Sequence, residues 1–121
     1  MNNYTISIPR GTTLVIPITV IDAISKKLHY DSTDTLMFGV KKAFDDTDYI
    51  IKKIADYDIE NEYYTVMIDV NDTVDLEFDR YFYDVALKTS TNEFYQIIPT
   101  SEFNVVYSIC QMEWKNCLKV T

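Results

Sequence analysis

Glycine is nearly missing from this chain, 2 residues in 121, and proline and cysteine are almost as scarce at 3 and 2. So few glycines leave little material for a phosphate-cradling loop, and no P-loop, dinucleotide fingerprint, G-x-S-x-G elbow or H-E-x-x-H pair occurs. Turns must then be built from Asp, Asn, Ser and Thr, whose short polar side chains bond their own backbone. The two cysteines, Cys110 and Cys117, are too few for a disulfide framework and lack the C-x-x-C spacing of a zinc site, so free thiols are expected. With a single histidine, His29, no convincing metal-ligand set can be completed, and no cofactor is expected. Basic residues are also in deficit, 11 Lys and Arg against 19 acids for a net charge of -8, which sets the chain against nucleic-acid backbones and anionic membranes. No apolar run reaches the length of a membrane span. The start, "MNNYTISIPRGTT", has neither the basic end nor the apolar core of a signal peptide.

What is present is hydrophobic and aromatic. Hydrophobic residues make up 47% and charged residues 25%, and ten tyrosines dominate the aromatics, a composition that folds and favours strands. The length is that of one domain, and residues 1–121 show no repeat, linker or composition shift that would divide them. Period-two alternation recurs along the chain. In "TLVIPITVID" Leu14, Ile16, Ile18 and Val20 share a face, with Pro17 on the other, which points to an edge strand or bulge. After a polar stretch from Asp22 to Asp34, "TLMFGVKKAF" and "YIIKKI" read as a hairpin, and "YYTVMIDV" points Tyr64, Val66, Ile68 and Val70 one way.

"NDTVDLEFD" then breaks the alternation, with Asn71 or Asp72 expected to cap one helical turn. "RYFYDVALK" resumes as a strand and "FYQIIP" returns after "TSTNE". "EFNVVYSIC" follows, with Phe103, Val105, Tyr107 and Ile109 on one face. Seven to eight short strands without a long helical pattern predict an all-β, two-layer antiparallel sandwich with one short connecting helical turn. The tail 111–121 fits neither strand nor helix, and Trp114 in it reads either as part of a closing segment or as an exposed anchor for a neighbouring subunit.

The stretch "DRYFYDVAL" places three aromatics beside an acid. Alternation divides them: Tyr81 and Tyr83 go with Val85 and Leu87, Phe82 and Asp84 with the opposite face. A tyrosine near a strand corner is expected to bond backbone upstream, as in sandwich domains. Asp84 reads as a solvent-facing strand residue, with no base placed beside it by sequence, so catalysis is not expected. "ADYDIENE" sets Asp56, Asp58, Glu60 and Glu62 at alternate positions, either a solvated acidic turn or an invitation to calcium, but without the glycine and distal glutamate of an EF-hand loop. Tyr57, Tyr63, Phe82 and Tyr95 are candidates for a sugar-binding platform if exposed.

In order and spacing, "GTTLVIPITVID", "TLMFGVKKAF", "DVNDTVDLEF", "YFYDVAL" and "EFYQIIPTSEFNVV" resemble the N-terminal sandwich of phage baseplate upper proteins and related tail or fibre modules, over about Gly11 to Val106. The glycine that usually precedes the "Y.YDV" strand of those domains is absent here, as is the one near their last turn. The resemblance implies an immunoglobulin-like sandwich that works by protein–protein contact in a phage or prophage particle, located in the virion or in the host cytoplasm during assembly. It implies other virion proteins as partners, usually in rings or trimers, and no catalytic residue. The expected contact residues are Pro17, Phe82, Asp84, Tyr95 and Trp114, with a carbohydrate-binding or adhesin module as the alternative.

Overall fold

In the computed structural model, which describes residues 4–43 and 45–107, the alternating segments become strands. The elements run β1 (Ile6–Pro9), β2 (Leu14–Ile18), β3 (Thr35–Lys41), β4 (Ile51–Ile54), β5 (Asp56–Asp58), β6 (Tyr63–Ile68), α1 (Val70–Thr73), β7 (Asp79–Lys88) and β8 (Phe94–Val106). One sheet has the order β1-β8-β7-β3-β4 and the other β2-β6-β5. Their inner faces meet in one core. Leu36, Phe38, Val40, Tyr81, Tyr83, Val85, Leu87, Phe103 and Val105 come from the larger sheet, and Ile18, Tyr64, Val66 and Ile68 from the smaller. Among the described residues no helix is long and apolar enough to cross a membrane.

This is an all-β sandwich of two sheets. The order β8-β7-β3-β4 matches that of the G-F-C-C′ sheet of a variable-type immunoglobulin domain, and β2-β6-β5 matches the facing B-E-D sheet. Its tyrosine corner is present: the Tyr81 hydroxyl at the start of β7 donates to the Glu77 carbonyl, 3.0 Å away and four residues upstream. Two residues on, where antibody domains carry the second core cysteine, stands Tyr83. Its ring packs against Phe38 of β3 at 5.1 Å between centroids, and Phe103 closes on both at 6.2 and 6.3 Å. The aromatic trio comes from three neighbouring strands of the larger sheet, and its Tyr83 stands at the position of that cysteine.

Each of the two glycines sits where a side chain would cost strain. Gly11 has φ 75 at the turn from β1 into β2, and its N–H donates to the hydroxyl of Thr73, the fully buried last residue of α1. Gly39 lies in mid-strand with the Tyr49 ring against it, and an added Cβ there would come within 2.3 Å of a ring carbon.

The structure also departs from the sequence reading in places. β1 pairs with β8 in parallel, Ile6 opposite Phe103, so the sandwich is not wholly antiparallel. The helical turn is capped by Asp69 rather than Asn71 or Asp72. Asp69 accepts from the backbone of Asn71, while the Asp72 carboxylate accepts the Asp69 N–H in return, a capping box. "FYQIIP" and "EFNVV" form one thirteen-residue strand, β8, whose register against β7 shifts between Tyr83 and Val85 and again between Val85 and Ala86. Tyr107 lies beyond that strand, exposed and packed on Phe78, instead of continuing the buried face of Phe103 and Val105. Trp114, Cys110, Cys117 and Ile109 lie outside the described residues.

Candidate functional site

Two surfaces stand out, and the first is the outer face of the five-stranded sheet. Strand register sets Lys52 of β4, Gly39 of β3 and Asp84 of β7 in one row across that face, with Lys41 and Phe82 paired in the adjacent row. Because Gly39 has no side chain, the ring of Tyr49 lies down on the strand between Lys52 and Asp84. Two cations approach the ring, the ammonium of Lys41 at 4.7 Å from its centroid and that of Lys52 at 5.5 Å. Small depressions of about 90 and 70 Å³ open on its two sides, and Asp84 lines both. Asp84 receives a long hydrogen bond from Gln96, 3.4 Å, and neither it nor the two lysines forms an ion pair with another described residue. Unmatched charges of both signs therefore stand on a half-apolar face, lysines on the β3/β4 side and Asp84 on the β7 side.

The second surface is an end of the sandwich. Here the hairpin-like loop between β2 and β3 faces the β7–β8 turn, the end at which variable domains cluster their recognition loops. Between them runs a groove of about 490 Å³ lined chiefly by Val20, Ile21, Ile24, Leu87, Tyr95 and Ile97, with Asp22, Glu93 and His29 among its polar groups. Both flanking tips are locked by their own polar residues. The Asp22 carboxylate accepts the N–H groups of Ser25 and Ile24, each at 2.9 Å, which holds its pKa below the ordinary carboxylate value. Opposite, the backbone of Thr89 and Glu93 pairs at 3.0 Å, with Asn92 in the left-handed region at φ 66. Glu93 in turn pushes the Tyr95 phenol pKa up through its charge.

Of the expected contact residues, Phe82 and Asp84 are brought together on the sheet face, and Tyr95 stands in the end groove, half-exposed at 50%. Pro17 is exposed on the edge strand β2, opposite Thr65, apart from both surfaces. Tyr57 and Tyr63 join neither, and the face of Tyr57 is covered by Tyr30, stacked at 3.7 Å and 13°. In the acidic stretch, Asp58 accepts from the backbone of Glu60 and Asn61 and from the Asn61 amide, so that carboxylate shapes the turn. No cluster of three or more potential metal ligands occurs among the described residues.

Sequence reasoning missed the role of Tyr49, which it placed in the strand "YIIKKI" although β4 begins only at Ile51, and that of Ile24, which is hidden in a polar stretch. A mid-strand glycine was the available signal for the first. No protein-family model matches the chain, and no curated protein matches it either.

Proposed function

We propose that this protein is a non-catalytic assembly module of a phage or prophage particle that works by protein–protein contact, first of all with copies of itself. Placement in such a particle rests on the resemblance of the strand motifs to baseplate and tail domains. Self-contact rests on one observation, the row Lys52–Gly39–Asp84 with the Tyr49 ring laid across it. Lysines on one side of a face and an acid on the other are self-complementary, because a second copy turned about a two-fold axis sets each lysine toward an acid. Tyr49 and Phe82 supply the rigid apolar contact area of the kind that dominates interface energetics. The carbohydrate alternative has less support, since the four rings that would form its platform do not share a surface.

Light scattering combined with sedimentation provides the test. The wild-type chain is expected above its monomer mass of 14.2 kDa at high concentration. Asp84→Lys and Lys52→Asp are each expected to return it to the monomer, and the double exchange to restore association. A wild-type chain that stays monomeric at millimolar concentration, or a double exchange that fails where both singles fail, refutes self-contact through this face.

A further inference from the structure

The groove at the loop end goes beyond that reading, being a separate surface built by different elements. Its volume of about 490 Å³ lies within the range of real ligand sites. The walls are aliphatic, and the apolar surface continues outward onto the tip of the β2–β3 loop, where Ile24 is 95% exposed and Ile21 54%. An occupant that removes this surface from water must cover the tip as well as fill the groove, which suits a chain segment better than a compact small molecule. The charge at the mouth is acidic. Asp22 and Glu93 bring carboxylates from opposite sides, each also accepting hydrogen bonds from its own turn, and His29 is engaged by Asp34 at 2.8 Å. Lys26 and Lys27 belong to the same loop but do not line the groove.

We propose that this groove binds an extended segment of a partner protein, seating an aliphatic side chain between Val20, Leu87 and Ile97 and pairing an adjacent lysine or arginine with Asp22 and Glu93. Both tips are held by side-chain and backbone bonds before any partner arrives, so little ordering is needed on binding. Tyr95 adds a rigid ring with a polar rim at the groove wall, the side chain type that carries much of the energy at such sites.

The probes are two blocked tetrapeptides, acetyl-Lys-Leu-Leu-Lys-amide and its counterpart with glutamates in place of the lysines, titrated into the ¹⁵N-labelled chain at low salt. The lysine peptide is expected to shift the amides of Ala23, Ile24, Thr89 and Glu93. It should bind about fivefold more tightly than the glutamate peptide, the discrimination that two partly exposed charge pairs provide. Ile24→Ser, at a position too exposed to affect folding, should weaken the lysine peptide, and Glu93→Gln should reduce the preference between peptides. Shifts confined to the outer sheet face, equal or reversed affinities, or no shift at millimolar peptide overturn the proposal. None of these outcomes bears on association through Lys52 and Asp84, which light scattering reads separately.

Discussion

Gly39→Ala probes the contact on which the sheet face is built. A Cβ at this position would lie 2.3 and 2.7 Å from two carbons of the Tyr49 ring, distances no real contact tolerates, so the ring must shift off the strand. Gly39 has an ordinary φ, and the backbone itself accepts alanine without strain. Tyr49 is 43% exposed, so slightly more than half of its surface is at stake. Taking an aromatic side chain at about 150–250 Å² when fully buried, that share is about 100 Å² and contributes about 2.5 kcal/mol as an upper bound. Alanine stiffens the strand and returns about 0.5–1 kcal/mol. The net loss expected from urea unfolding is at most about 1.5–2 kcal/mol, which corresponds to about 6–8 °C in Tm for a domain of this size. Placing the same change in a Tyr49→Ala background reverses its sign, since nothing remains to displace and only the stiffening is left. A cost for Gly39→Ala that is equal in both backgrounds would falsify the account of glycine as the seat of the ring.

Thr73→Val keeps the shape of a fully buried side chain but removes the acceptor for the Gly11 N–H, so equilibrium unfolding should show a loss of about 1–3 kcal/mol, largely recovered in Thr73→Ser. The Tyr64 hydroxyl is buried without a hydrogen-bond partner among the described residues, and Tyr64→Phe should be neutral or stabilise by about 1 kcal/mol, the reverse of the usual tyrosine loss. Burial pushes the phenols of Tyr64 and Tyr83 up to about 12 from an ordinary 10.0. A phenol is neutral when protonated, so between pH 10 and 12 the native state binds more protons than the unfolded one. Stability is thus complete below pH 10 and falls as pH rises toward 12, a slope that denaturation at stepped pH should show and that Tyr64→Phe should flatten.

Alternation alone made much of this fold legible. The strand segments around Ile18, Phe38, Val66 and Val85 announced their buried faces, and "DRYFYDVAL" divided as its pattern required, with Tyr81 and Tyr83 inside and Phe82 and Asp84 on the outer face. What stayed hidden was set by partners distant in sequence. β1 is four residues long and gains its place only by lying parallel to β8, and the three residues of β5 carry two acids that read as a turn. Asp69 looked like the outward residue of a strand and became a helix cap because Asp72, three positions on, completes the box. The sheet face was half readable: Phe82 and Asp84 follow from period two, whereas Tyr49 reaches Gly39 from a loop. In the end groove Tyr95 was visible as an aromatic, but the tips that make it part of a groove are fixed by Asp22 and Thr89, whose bonds are local and silent in the hydrophobic pattern.

The scarcity of cysteine becomes intelligible through the core. In an antibody-type sandwich the B–F disulfide removes unfolded-state entropy worth about 2–4 kcal/mol, and a tryptophan on strand C packs against it. Residues 4–107 contain no cysteine at all, so this sandwich must obtain comparable stabilisation from packing. Phe38, Tyr83 and Phe103 provide three ring–ring contacts within 6.3 Å, and at about 0.5–1.5 kcal/mol each beyond their burial these reach the same range. Tyr83 contributes a tether as well, its hydroxyl donating to the carbonyl of Tyr4 and holding the approach to β1 against the sheet. The exchange has a consequence for where the domain can fold. A core stapled by sulfur depends on an oxidising compartment, whereas the packing of Phe38, Tyr83 and Phe103 carries no such dependence.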